Sequence, residues 1–158
     1  MLEFKSVKEA VKKLNELLDI NGKKVFIKRT NSYVKELIGV VFKTLPSHYE
    51  EFLKYRGSAD DEINEAFNAA LKILYFDKSA RYAVGFPRRE REYGDIKSPC
   101  LVSIQILKRN SFFVICYFRS SHIDEFPHDL ARVSYLVNQK IKNGKILMIL
   151  GSFHKDVR

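Results

Sequence analysis

The spacing of apolar residues divides this chain into helical and extended stretches. Ser6 and Glu9 form a capping box. Behind it Val7, Ala10, Val11, Leu14, Leu17 and Leu18 recur at helical spacing, so a first helix is predicted to end near Asn21-Gly22. Lys24 to Arg29 and Lys35 to Thr44 are rich in Val, Ile and Phe and read as strands. A short helix is expected from Pro46-Ser47 to about Tyr55, ended by Gly57. From Asp60 to about Tyr75 the residues Ile63, Ala66, Phe67, Ala70, Leu71 and Leu74 give a further helix its buried side. Arg81 to Phe86 reads as a strand, and Pro87 to Pro99 as a polar loop.

The second half continues the mixture. Leu101 to Leu107 and Phe112 to Phe118 flank the polar turn Lys108-Arg109-Asn110-Ser111, which predicts a hairpin. A helix follows Pro127, from His128 to about Lys142, with Leu130, Val133, Leu136 and Val137 inward. Ile146 to Leu150 is an apolar, central strand after the stop at Asn143-Gly144. Helices mixed with adjacent strands predict an α+β (mixed α/β) fold, a single mixed sheet packed by helices. Neither a repeat nor a linker interrupts residues 1–158, so one domain is expected.

Composition narrows the setting. No apolar run approaches the roughly 20 residues of a membrane span, and the N-terminal residues lack a signal-peptide pattern. Two cysteines give no disulfide framework, so a reducing, cytoplasmic environment is expected. The net charge is +9. An excess of that size suits nucleic acid, but the lysines and arginines are spread along the chain among acidic residues. Such a surface also attracts small phosphorylated ligands, and nucleic acid is not the expected main partner.

The candidate chemistry centres on Cys100, in Ser98-Pro99-Cys100-Leu101-Val102-Ser103-Ile104-Gln105, followed nineteen residues later by Arg119-Ser120. A thiol at the mouth of a strand can act as a nucleophile, and an arginine leaving the next strand can neutralise a phosphate or favour the thiolate. Cys116, among Phe113, Val114, Ile115 and Phe118, reads as core.

These residues, taken in order, resemble the thymidylate synthase family, which includes the pyrimidine-nucleotide hydroxymethylases. The resemblance runs from about Arg29 onward and is strongest from Ser79 to Asp129. Pro99-Cys100 with Gln105 matches the nucleophile motif, Arg119-Ser120 the phosphate motif, and Pro127 with Asp129 the base-reading element. Arg29-Thr30 resembles the first phosphate-binding turn. Glu50, seven residues before Gly57, resembles the catalytic glutamate. Ser79-Ala80-Arg81 resembles a motif whose arginine serves the partner subunit, and Gly151-Ser152-Phe153-His154 the segment whose histidine holds the sugar hydroxyl.

The resemblance implies a homodimer and a one-carbon transfer to C5 of a pyrimidine nucleoside 5′-monophosphate, either methylation or hydroxymethylation. Methylenetetrahydrofolate or a related reduced folate would donate the carbon. Cys100 would be the nucleophile and Glu50 the proton carrier. Arg29, Arg81, Arg119 and Ser120 would hold phosphate, Asp129 and Gln105 the base, and His154 the sugar. Aspartate at position 129, where thymidylate synthases carry asparagine, points to cytosine. A protonated carboxyl donates to N3 and accepts from the N4 amine.

The pattern is also broken. Leu101 stands where the family has histidine, His122 where it has aspartate, and Ala80 where it has arginine. The chain has no tryptophan, and the folate half looks reduced. A nucleotide-binding protein without turnover is therefore a second expectation, and a basic nucleic-acid-binding protein a third. Each site residue also has an ordinary structural reading: Glu50 as an exposed helix glutamate, His122 and His48 as surface or supporting polar groups, Asp129 as a first-turn aspartate at the positive end of a helix.

Overall fold

The first helix follows from its cap. Ser6 is extended, and its hydroxyl accepts from the Glu9 amide at 3.2 Å, satisfying one of the donors that a helix start leaves without a partner. The Glu9 carboxylate accepts in turn from the Lys5 amide at 2.8 Å, one residue ahead of the usual box. Helix α1, Val7–Asn21, then buries Val7, Ala10, Leu14 and Leu18. Helix α2, Ser58–Phe76, buries Ile63, Ala66, Phe67, Ala70 and Leu74. Helix α3, Phe126–Lys140, carries Pro127 in its first turn, where a missing N–H leaves no hydrogen bond unmade.

The computed structural model describes residues 1–28, 30–46, 58–77, 83–85, 89–90, 96–97 and 100–157. The strands are β1 (Leu2–Phe4), β2 (Lys23–Ile27), β3 (Ser32–Thr44), β4 (Ala83–Gly85), β5 (Arg89–Glu90), β6 (Ile96–Lys97), β7 (Leu101–Lys108), β8 (Phe112–Phe118), β9 (Ser121–His122) and β10 (Gly144–Val157). Eight of them form one mixed sheet in the order β1-β3-β10-β8-β7-β4, with β2 beside β3 and β9 beside β10. β10 runs antiparallel to β3 and parallel to β8, and β7 and β8 form the expected hairpin. The fold is α+β, as the alternation of patterns predicts. Inward residues of β3, β7, β8 and β10 and the apolar faces of all three helices make one core, with Phe42, Phe67, Phe118, Phe126 and Phe153 fully enclosed. Among the described residues no helix is long and apolar enough to cross a membrane.

Three elements differ from expectation. β10 does not stop at Leu150 but continues through His154 to Val157, paired with β3 along most of its length. Residues 87–99 are not wholly a loop, since β5 and β6 pair within them. β1, parallel to β3, is too short for periodicity to reveal. The helix expected from 46 to 55 lies outside the described residues, and so do Glu50, His48 and Gly57.

A line of backbone irregularities crosses the sheet. Gly39 and Gly151 stand opposite each other between β3 and β10, and Gly39 has φ +68. There the buried face changes from Leu150 and Val40 to Phe153 and Leu37, so strict alternation is reversed. β7 carries a bulge between Leu101 and Ser103. Between these points Ser152 donates its amide to the Arg119 carbonyl at 3.1 Å. A Cβ on Gly151 would stand 2.6 Å from that same carbonyl oxygen, so only glycine fits.

Candidate active site at the end of strands β7, β8 and β10

The β7–β8 ladder brings the thiol and the arginine together. Leu101 pairs with Phe118, and one step further the Arg119 amide donates to the Cys100 carbonyl at 2.9 Å. In an antiparallel pair, residues opposite one another share a face of the sheet. Cys100 and Arg119 are both exposed. After Ser120, half-buried, the chain makes the two-residue strand β9 and a turn in which Glu125 donates its amide to the His122 carbonyl at 3.0 Å. Helix α3 starts there. The Glu125 carbonyl accepts from His128 and Asp129, and Asp129 stands half-buried in the first turn. Aspartate suits that place because the helix start carries partial positive charge.

Three charges act on the Cys100 thiol. Burial raises its pKa above the ordinary 9.0, Arg119 opposes that, and Asp129 and Glu125 add to it. The net direction is upward. Arg119 does favour the thiolate, as expected of an arginine there, but desolvation and two carboxylates outweigh the one guanidinium. Cys116, fully enclosed, is pushed up to about 12 by burial and by Asp129, which fits its reading as core.

His154 belongs to a second group of polar residues on β10. Ser152 donates its hydroxyl to the Glu36 carboxylate and lies 3.3 Å from His154 Nδ1. The His122 and His154 rings meet edge to face with centroids 5.3 Å apart. His122 Nδ1 stands 3.5 Å from Asp124 and accepts its amide at 3.2 Å, while Nε2 stands 3.8 Å from Asp156. Burial and the neighbouring His122 hold the His154 pKa below 6.5, against the pull of Glu36 and Asp156. The segment 119–129 joins both groups, since the Arg119 carbonyl takes the Ser152 amide and Ile123 donates to the His154 carbonyl at 2.8 Å.

Gln105 pairs with Ile115 and Ala83, and by alternation it faces away from the buried Ile104 and Ile106. It stands five residues along β7 from Cys100, about 16 Å at the usual rise of a strand. Arg29, Glu50, Arg81 and Pro99 lie outside the described residues. Glu36, Ser152, His122 and Glu125 join the site without having been singled out as ligands. Nothing local in the chain marks Glu36, which arrives only through the β3–β10 register.

Two apolar cavities are described, and neither opens beside Cys100. One, of about 490 Å³, is lined by Leu71, Leu74, Tyr75, Lys108 and Phe112, at the far end of the β7–β8 ladder. The other, of about 430 Å³, lies among Met1, Leu17 and the Leu37–Val41 stretch. Among the described residues no group of three or more His, Cys, Asp or Glu is arranged to hold a metal ion.

A scan against protein-family models and a search of curated proteins return no match. The thymidylate synthase resemblance thus rests on the sequence motifs alone.

Proposed function

We propose that this protein activates C5 of a pyrimidine nucleoside 5′-monophosphate, with cytosine preferred over uracil, for transfer of a one-carbon unit. The observation that carries the reading is the Cys100–Arg119 backbone pair, with Asp129 acting on the same thiol. C5 of a pyrimidine is a poor nucleophile. Addition of the Cys100 sulfur at C6 makes C5 an enamine-like carbon that bonds to the one-carbon electrophile; a base then takes the C5 proton, and expulsion of the thiolate from C6 restores the ring double bond. Arg119 and Ser120 hold the phosphate, where a guanidinium fork matches the oxygens. Asp129 reads the base: taking up a proton as the nucleotide binds, its carboxyl donates to cytosine N3 and accepts from the N4 amine. His154, with Ser152 and Glu36, holds the sugar hydroxyl. Arg29, Glu50 and Arg81 keep the roles that the resemblance implies. A reduced folate supplies the one-carbon electrophile in this reading.

The protein acts as a homodimer in the cytoplasm. Support for the dimer comes from the sheet face opposite the helices, where Ile115, Leu147 and Ile149 stand half-buried and Ile38 is 73% exposed. The reducing compartment rests on two cysteines that are both free.

One observation favours a second reading, a nucleotide-binding protein without turnover: the raised pKa of Cys100 leaves little thiolate at neutral pH. Tritium release from C5-labelled dCMP and dUMP, with and without methylenetetrahydrofolate, separates the two. Release that Cys100→Ser abolishes, while calorimetric dCMP affinity stays within about twofold, supports the enzyme. Tight dCMP binding without release supports the binder. Asp129→Asn is expected to erase a preference for dCMP of about tenfold to a hundredfold, the worth of an unpaired buried group at roughly 1–3 kcal/mol. Equal affinities of the wild type for dCMP and dUMP would remove Asp129 from base reading.

A further inference from the structure

The β2–β3 hairpin carries an exposed aromatic pair that the proposed active site does not use. Phe26 and Tyr33 are directly opposite in the register, with ring centroids 5.1 Å apart and planes tilted by 57°. They remain 48% and 47% exposed. Aromatic side chains of this size usually contribute to a core or an interface, and these two lie beyond the end of α1, on a part of the hairpin that the helices do not cover.

Lysines surround the pair. Lys24 Nζ stands 4.4 Å from the centre of the Tyr33 ring. Lys24 and Lys35 are the neighbouring cross-strand pair on the same face, and Lys28 opens the turn just after β2. Lys24 and Lys28 are exposed. Lys35 donates to the main-chain carbonyl of Asp19, at the C-terminal end of α1, and its charge also acts on the Asp19 carboxylate. The Asp19 carboxylate itself is taken by Lys155. Successive residues on one face of a strand repeat at about 6.5–7 Å, so Lys24 stands one step from Phe26, and Lys28 lies two residues beyond it in the chain.

From this arrangement we infer that the hairpin is a binding surface for single-stranded nucleic acid, with bases stacked on Phe26 and Tyr33 and phosphates held by Lys24, Lys28 and Lys35. Each part of the chemistry selects this ligand. An aromatic face accepts any base, and a row of cations beside it tracks a backbone of phosphates. An acidic peptide would use the lysines but leave the aromatic pair idle. A duplex hides the base faces that the pair would stack. The scattered excess of lysine along the chain is here organised around a stacking platform.

The test is fluorescence anisotropy with the full chain and a labelled twelve-nucleotide oligo(dT), repeated with oligo(U). Binding is expected with a log–log salt slope of about −2, the value for three lysines at roughly 0.7 per phosphate on a single strand. Phe26→Ala and Tyr33→Ala are each expected to weaken binding about tenfold. Lys24→Gln with Lys28→Gln should weaken it and flatten the slope, in a surface variant whose folding is checked by thermal melting. The proposal is overturned by any of four results: no binding at low salt, no loss in the aromatic variants, equal affinity for the matching duplex, or equal affinity for poly-glutamate. Displacement of the oligonucleotide by saturating dCMP would also overturn it, by assigning the signal to the mononucleotide site. Retained binding in Cys100→Ser keeps this result separate from the fate of the enzymatic reading.

Discussion

Cys100 shows how a single position can look reactive in a sequence and be held back by its surroundings. Its thiol lies above 9.0 because burial, Asp129 and Glu125 outweigh Arg119. Alkylation by iodoacetamide should therefore still be accelerating as the pH passes 9.0, since only thiolate reacts. Asp129→Asn removes a negative charge and should move the curve to lower pH, whereas Arg119→Gln should move it higher. A curve unmoved by either change would mean that neither charge reaches the sulfur. His154 gives a complementary prediction about stability. Its pKa is depressed in the folded protein, so between that value and the unfolded 6.5 the unfolded chain binds more protons. Stability should be fully present above pH 6.5 and fall as the pH drops through that window. Urea melts of the wild type and His154→Gln at several pH values check this, and the variant's dependence should be flatter there.

At the scale of elements, periodicity revealed what periodicity can carry. α1 and α3, with apolar residues at helical spacing and a capping serine or an early proline, lie within two residues of their expected ends. The β7–β8 hairpin was equally legible, and with it the meeting of Cys100 and Arg119. The continuation of β10 was not, because Gly151-Ser152 interrupts the apolar run and Phe153 resumes it out of phase. The polar group around His154 depends on that phase change and on the register that delivers Glu36, which no local pattern encodes. The two glycines at the kink make different predictions. At Gly39 there is open space but φ is +68, so Gly39→Ala should cost about 1–2 kcal/mol from the left-handed backbone alone. At Gly151 the added Cβ meets the Arg119 carbonyl, and the overpacking adds about 1–3 kcal/mol and displaces Arg119. Gly151→Ala should therefore impair nucleotide binding, while Gly39→Ala should lower only the denaturation midpoint.

At the scale of the molecule, α1, α2 and α3 pack on one side of the sheet, and among the described residues no helix packs on the side that carries Ile38, Ile115, Leu147 and Ile149. A homodimer packed through that side should sediment at twice 18.4 kDa at micromolar concentration, and Ile149→Lys should reduce it to a monomer. A strictly monomeric wild type would leave Arg81 without a neighbouring site to serve. The position of β10 has a consequence for how the chain acquires its shape during synthesis. Before Gly144 leaves the ribosome, the sheet exists as two separate pieces, β1 and β2 on β3, and β4 on β7 and β8, with no backbone hydrogen bond assigned between them among the described residues. β10 enters between β3 and β8 and joins both at once. The nascent protein must keep two raw strand edges apart until its final fourteen-residue strand arrives, and those edges are where a stalled or shortened chain would pair with its neighbours instead.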